Sequence, residues 1–235
     1  MSPVRTSKSK VSLFPWDAKS ETHRRWLYQQ RVQCNWDSDK VEGEWTEKQI
    51  IGEKCMYWIP NQSEDIKLPN DEDEEVLHDT ADSVNGVPRD ASHVAFVPVG
   101  HISLDSKNKD AEMVGLEIPS ERVFWVKSLF ILKSFHGQGI GGAAMDAVED
   151  IAAREPLRAK SLMLDTVVKE HQIREDFAIS CYGAVPKIPS QDWYGRRGYV
   201  PIKVVPNFYD VLDENGNRWD VEIVFMRKQV HDIGM

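Results

Sequence analysis

Apolar residues recur along this chain at two spacings, and each change of spacing marks a new element. In "ETHRRWLYQQRVQCNW", Trp26, Leu27, Gln30 and Cys34 share one helical face, which predicts a helix in the segment from Trp16 with Ser20 or Thr22 as its cap. "CMYWIP", Cys55 to Pro60, reads as a strand that stops at proline. His93 to Leu104 is β-rich, with Pro98-Val99-Gly100 breaking it into two strands or a hairpin. Glu121 to Leu132 carries bulk on both faces, the pattern of a strand in the middle of a sheet. Ala143, Ala144, Ala147, Val148 and Ile151 return to helical spacing, and Pro156 marks the far end of that helix. Ser161 to Val167 is a further buried strand. "GYVPIKVV" and "RWDVEIVFMRK" complete the set, with "DENGNR" turning between them. Helices interleaved with strands in this order predict an α/β fold, a mixed sheet with helices on both faces.

Polar intervals set the domain organisation. Residues 1–15, opening with the basic "MSPVRTSKSK", lack the apolar core of a secretory signal and read as a disordered arm. Residues 16–235 read as a single domain with two insertions. One, at about 61–91, contains the acidic run "NDEDEEVLHDTADSVNG", read as a solvated loop. The other lies at about 169–190.

Composition narrows the function classes. The 235 residues carry a formal net charge of -9, which argues against a phosphate-neutralising nucleic-acid surface and mildly favours a cationic substrate. Cys34, Cys55 and Cys181 have no CxxC spacing and no even pairing, so reduced thiols are expected. No apolar run approaches the roughly 18 residues of a membrane span. Together these give the expectation of a cytoplasmic or nuclear protein without a membrane partner. The seven histidines show neither HxxxH nor HExxH spacing, so no metal site is expected.

The chemistry concentrates in "SFHGQGIGGAAM", Ser134 to Met145, where four glycines fall in the six positions Gly137–Gly142 and lead directly into a helix. A helix N-terminus offers unpaired N–H groups and partial positive charge, and glycines let backbone approach an anion closely. Residue identity separates the nucleotide loops built on this logic. A P-loop ends in Gly-Lys-Ser/Thr, and Gly141-Gly142-Ala143 has neither lysine nor hydroxyl. Gly137, Gly139 and Gly142 do match GxGxxG, yet the loop follows several strands instead of opening the fold as a dinucleotide loop does.

The segment "LFILKSFHGQGIGGAAM" resembles the coenzyme A pyrophosphate loop of the GCN5-related N-acetyltransferase superfamily. The family pattern Arg/Gln-x-x-Gly-x-Gly/Ala aligns with His136-Gly137-Gln138-Gly139-Ile140-Gly141, histidine replacing the usual first residue. A second block, "DWYGRRGYVPI", resembles the family's aromatic-Tyr-x-x-x-Gly-aromatic signature through Trp193-Tyr194 and Gly198-Tyr199. The resemblance covers Val94 to about Val205. It implies the acyl-CoA N-acyltransferase fold: a mixed, mostly antiparallel central sheet with helices on both faces and splayed fourth and fifth strands. It also implies acetyl-CoA as co-substrate, and it admits a homodimer.

On that resemblance, the backbone of Leu129, Phe130 and Ile131 pairs with the pantetheine arm, and a backbone amide there polarises the thioester carbonyl. His136, Gly137, Gln138, Gly139, Ile140, Gly141 and Gly142 hold the diphosphate. Tyr194 matches the family's general acid, a phenol near pKa ~10 serving a thiolate leaving group near ~8.5. Glu117, Glu121, Asp165 and His101 stand near enough in sequence to be considered as a base, and none is assigned. The stretch from Lys169 to Gln191 lacks the asparagine often found on the family's helix there. Trp26, Tyr28, Trp36, Trp45, Tyr57 and Trp58 are read first as core aromatics and secondarily as a wall for a cationic amine.

The function expected from these features is acetyl transfer from acetyl-CoA to a primary amine, in a small cationic acceptor. A protein or peptide amine is the alternative acceptor. A coenzyme-A-binding sensor without turnover is a second class, and a dinucleotide-dependent oxidoreductase a third.

Overall fold

The computed structural model describes residues 11–61, 76–213 and 215–230. In chain order, β1 (Phe14–Pro15) and α1 (Glu21–Cys34) lead through α2 (Thr46–Ile50) to β2 (Lys54–Pro60). Four two-residue strands follow: β3 (Leu77–His78), β4 (Ser83–Val84), β5 (Val87–Pro88) and β6 (Ala95–Phe96). Then come β7 (Pro98–Asp105), α3 (Lys109–Met113) and the long β8 (Val123–Ile131). Helix α4 (Ile140–Ala153) and β9 (Ser161–Val167) are followed by α5 (Lys169–Gln172), α6 (Glu175–Tyr182) and α7 (Ser190–Arg196). The chain closes with β10 (Val200–Pro206), β11 (Val211–Leu212), β12 (Arg218–Trp219) and β13 (Glu222–Gln229). The fold class is the mixed, mostly antiparallel α/β class expected from the sequence.

Two compact units divide the chain, Met1–Lys107 with Val126–Leu157 and Asn108–Trp125 with Arg158–Met235. In the first, strands run in the order β1-β2-β7-β8, with β1 and β7 both antiparallel to β2. Every residue of β2 is buried, as a Cys-Met-Tyr-Trp-Ile run without alternation dictates. Helix α1 begins where Ser20 Oγ accepts the His23 N–H at 3.4 Å, a cap worth about 1 kcal/mol, and it ends at Asn35 in the left-handed conformation. Leu27 on α1 enters a core with Trp16, Val41, Trp45, Met56, Trp58, Leu77 and Phe96.

In the second unit the order is β8-β9-β13-β10, with β8 contributing through its first three residues. Val123, Phe124 and Trp125 pair in parallel with Ser161, Leu162 and Met163; the other ladders are antiparallel. Trp125 meets Phe225 edge-on at 6.2 Å over this core.

Several expectations change in detail. Phe14–Pro15, placed by sequence in the N-terminal arm, pair instead with Trp58 and Tyr57, and Val11 is buried, because Phe14 stacks on Phe96 at 4.4 Å. Residues 1–10 of that arm lie outside the described residues. So do residues 62–75 of the acidic insertion. Its described part is not merely solvated: Asp79 is 1% exposed and accepts from Arg89 Nη1 and Nη2 at 2.7 and 2.6 Å and from Ser92 Oγ at 2.6 Å. The break in the His93–Leu104 run falls at Val97, ahead of Pro98, and its two strands pair elsewhere, β6 with β3 and β7 with β2. The last two long strands, β10 and β13, pair antiparallel as expected, but a smaller β11–β12 ladder lies between them in the chain, its two strands on either side of the "DENGN" segment. No helix among the described residues is long and apolar enough to cross a membrane.

Candidate active site

The glycine loop sits between β8 and α4, all within the first unit from Val126 onward. Strand β8 departs from regular geometry at Ser128, whose φ of 54° is left-handed in a residue with a Cβ. Such a conformation costs about 1–3 kcal/mol and persists only where its surroundings enforce it. Leu129, Phe130 and Ile131 follow it, all half-buried. A single 3-10 turn, Lys133–Phe135, then delivers the chain to His136.

Gly137 and Gly139 have φ of 78° and 81°, so both are needed as glycine, and a Cβ at either would meet nothing within 4 Å. The loop is open on its outer side, and close packing is not what excludes side chains there. Gly139 is the N-cap of α4 and supplies no side-chain acceptor, and the first turn of α4 contains no acidic residue. Ala143 N–H bonds to Gly139 O at 3.0 Å and closes that turn. A fourteen-residue helix thus presents its positive end without a carboxylate or hydroxyl of its own to neutralise it. These features fit a diphosphate: bare backbone, open space and partial positive charge at one point.

Two exposed loop side chains bond back onto the backbone of their own segment. His136 Nε2 donates to Ile131 O at 2.8 Å, which fixes the tautomer, and Gln138 Nε2 donates to Ser134 O at 3.3 Å. The Ile131 side chain lies beside the first turn of α4, its Cγ1 3.9 Å from where a Gly141 Cβ would be. Leu129–Ile131 and His136–Gly142 therefore form one continuous strand–loop–helix unit, as the sequence placed them.

Tyr194 belongs to the second unit, on α7, where it meets Trp193 at 4.9 Å and Tyr199 at 5.9 Å. Backbone N–H groups of Arg197 and Tyr199 both return to Tyr194 O, at 2.9 and 3.2 Å. Gly198, with φ of 91°, makes that return possible before β10 begins. Burial, with the Asp165 carboxylate adding to it, holds the Tyr194 phenol well above its ordinary pKa, against a smaller opposing effect of Arg197. The hydroxyl is therefore protonated throughout the neutral range. Helix α7 packs on β9, and Asp165 on β9 accepts from Tyr209 Oη at 2.9 Å. Tyr209 carried no signal in the sequence, because its position after β10 has no fixed spacing to Asp165.

The residues considered as bases separate clearly. His101 is fully buried on β7, and burial, reinforced by Arg31 and Lys54, pushes its pKa well below the ordinary imidazole value. It is a core histidine. Glu121 is exposed and ion-paired to Lys160 at 2.8 Å, which lowers its pKa, the opposite of what a base at neutral pH needs. Glu117 is exposed, and Asp165 is engaged by Tyr209. Of the N-terminal aromatics, Trp45, Tyr57 and Trp58 are buried, and Trp45 already packs under the cations of Arg31 and Lys54 at 5.1 and 4.4 Å. They build the core and form no wall for an incoming amine.

Comparison with solved structures places this architecture among acetyltransferases. An aminoglycoside 6'-N-acetyltransferase complexed with coenzyme A aligns over 95% of this chain and 99% of its own, at TM-score 0.52 and 14% identity. A spermidine N-acetyltransferase variant from Vibrio cholerae aligns over 93% and 95%, at TM-score 0.54 and 9% identity. NAA60 of Arabidopsis thaliana, in complex with a bisubstrate analogue, aligns over 94% and 100%, at TM-score 0.51 and 11% identity. At these identities the likeness establishes the fold. No curated protein sequence matches the chain significantly. The sequence model of the acetyltransferase (GNAT) family matches residues 54–178, more than half of the chain and the whole of the β8–loop–α4 unit. The chain belongs to the acetyltransferase (GNAT) family.

Proposed function

We propose that the protein moves the acetyl group of acetyl-CoA directly onto a primary amine of a small cationic acceptor, with Tyr194 as general acid. The observation that carries this reading is the uncapped N-terminus of α4 behind left-handed Gly137 and Gly139, directly following the irregular strand β8.

Acetyl-CoA supplies an activated carbonyl and a thiolate leaving group. Backbone N–H groups from Gly137 to Gly141 hold the diphosphate, where each charge-assisted hydrogen bond is stronger than its neutral counterpart. Backbone groups of Leu129–Ile131 align the pantetheine arm, and a β8 amide stabilises charge on the carbonyl oxygen. The amine nitrogen attacks the carbonyl carbon, a C–N bond forms and the C–S bond breaks. Tyr194 Oη gives its proton to the departing sulfur, the proton lost by the amine passes to water, and Tyr194 regains a proton from water to close the cycle. The raised Tyr194 pKa keeps the hydroxyl protonated in the free protein and makes it a weaker proton donor than an ordinary phenol, so the transfer accompanies C–S cleavage, when charge builds on the sulfur.

Two of the similar structures are named for aminoglycoside and spermidine acetylation, and a net charge of -9 has the sign that attracts such polycations. Turnover of acetyl-CoA against a panel of polyamines, aminoglycosides and peptide N-termini, with wild type and Tyr194→Phe, tests the assignment. Turnover restricted to peptides would replace the acceptor, and coenzyme A binding without turnover on any amine would make the protein a sensor.

A further inference from the structure

A buried histidine without a catalytic task needs an explanation, because an imidazole in the core costs free energy unless both ring nitrogens are satisfied. His101 is 0% exposed, and both nitrogens are engaged by α1: Nδ1 with Gln30 Oε1 at 2.8 Å and Nε2 with Arg31 Nη1 at 3.5 Å. Only one tautomer suits these partners, Nδ1–H donating to the amide oxygen and Nε2 accepting from the guanidinium. Gln30 is fixed in turn, its Nε2 donating to Pro98 O at 3.1 Å where β7 begins. Arg31 is held by Trp36 O at 2.8 Å and by the Trp45 ring. The imidazole plane is thus set from both ends.

That plane lies against Phe130 of β8, with centroids 5.4 Å apart and a 32° tilt, while Trp58 closes the opposite side edge-on at 6.4 Å. One residue earlier on β7, Gly100 permits an unusually close approach to the same strand. A Cβ there would fall 2.2 Å from Phe130 O and 3.1 Å from Ile131 Cα. Neither neighbour is a flexible side-chain end, so no other residue fits. Phe130 is therefore clamped twice, by its ring on His101 and by its carbonyl over Gly100. Two residues upstream stands Ser128, with its left-handed backbone. A phenylalanine at 101 would supply apolar contact with Phe130, but nothing would fix its ring orientation.

We infer that His101 and Gly100 are positioning residues that lock the Ser128–Ile131 segment of β8 in the irregular form that reads the pantetheine arm. This rests on the proposed coenzyme A role of β8. His101 touches no substrate; its effect passes through Phe130. The neutral imidazole also explains why its low pKa is compatible with function: no proton transfer is asked of it.

The test compares His101→Leu and His101→Phe with Leu27→Ala, a core truncation in the same unit at a fully buried position whose core cluster includes no residue of β8. Coenzyme A affinity is measured by calorimetry, KM for acetyl-CoA and for the amine are measured separately, and Tm is recorded for each. His101→Leu should weaken coenzyme A binding and raise KM for acetyl-CoA about tenfold, with little change in KM for the amine. His101→Phe, which keeps a ring against Phe130, should lie between it and wild type. Leu27→Ala should lower Tm comparably and leave coenzyme A affinity unchanged. Equal coenzyme A affinity in His101→Leu and wild type would overturn the inference, as would a loss in Leu27→Ala as large as in His101→Leu. If wild type itself fails to bind coenzyme A, the function proposed for β8 falls, and with it the basis for the inference.

Discussion

His136 Nε2 donates to the carbonyl oxygen of Ile131 at 2.8 Å, so the ring turns back onto the strand that precedes the loop. The family pattern has arginine or glutamine here, residues whose longer side chains end in several donors. In this chain the histidine staples the entrance of the loop, and under the proposed function anion binding falls to backbone N–H groups. His136→Ala should weaken coenzyme A binding only several-fold, the equivalent of about 1 kcal/mol for one lost hydrogen bond. His136→Arg should strengthen binding at low salt by supplying a charge-assisted donor. Calorimetric titration at two ionic strengths separates the two effects.

Gly139 combines a left-handed backbone with open space around its missing side chain. Gly139→Val has no clash to relieve, so its cost is conformational, about 1–2 kcal/mol if φ is retained. The larger consequence is for the ligand. If the loop relaxes to negative φ, the α4 N-terminus loses its orientation, and coenzyme A affinity should fall more than tenfold while Tm falls by only a few degrees. Thermal melts with and without coenzyme A check this: the stabilising shift seen with wild type should largely disappear.

Tyr194→Phe should lower kcat by roughly 10²–10⁴-fold, the range for a lost general acid, and leave coenzyme A affinity unaltered. The pH dependence follows from the direction of the shift. Tyr194 must be protonated to act, and burial raises its pKa above the ordinary phenol value. The alkaline limb of kcat in wild type should therefore not begin below about pH 10 on account of this residue. A wild-type limb near pH 8 that is absent from Tyr194→Phe would contradict the assignment.

Acid should unsettle the first unit through Asp79 and His23. Burial raises the Asp79 pKa, but hydrogen bonds from Arg89 and Ser92 outweigh it and bring the carboxyl down to about 2. A depressed carboxylate contributes stability above its unfolded value, here about 2 kcal/mol, which is lost as pH falls from near 4 toward 2. His23 accepts at Nδ1 from Trp58 Nε1 and Asp17 N, each at 3.1 Å, and faces His78 O at 3.0 Å with Nε2. Burial lowers its pKa, so its contribution is present above about pH 6.5 and declines as pH falls below that. Urea melts from pH 7 to pH 3 should show both losses in wild type, and Asp79→Asn should remove the lower one. The Trp58 indole proton should exchange faster as His23 is protonated.

Much of the frame was legible in the sequence because it follows from local rules. The Ser20 cap, the unbroken apolar run of β2 and the glycine spacing before α4 each specify backbone without help from distant residues. Gly137 and Gly139 could be read as the turn into a helix, and their left-handed backbone is what requires glycine there. What was not legible depends on partners far apart in the chain. Ser128 has no propensity for a left-handed backbone, and the contacts of β7 with the segment after it, Gly100 against Phe130 O and His101 against the Phe130 ring, carry no signal in local sequence. His101 was open as a base until Gln30 and Arg31, seventy-one and seventy residues earlier, closed around it. Asp79 sits in an acidic run that reads as solvated, and only Arg89 and Ser92 make its burial possible. Trp45 and Trp58 carried the composition of a ligand wall, but the cations that face Trp45 come from the chain itself.

The central claim is that the α4 N-terminus holds the diphosphate of coenzyme A, and calorimetry on the wild-type chain tests it most directly. Coenzyme A should bind in the micromolar range or tighter. Pantetheine, which lacks the diphosphate and nucleotide, should bind at least about a hundredfold more weakly, a difference near 3 kcal/mol. Failure to bind coenzyme A, or binding of NAD in its place, would contradict the account.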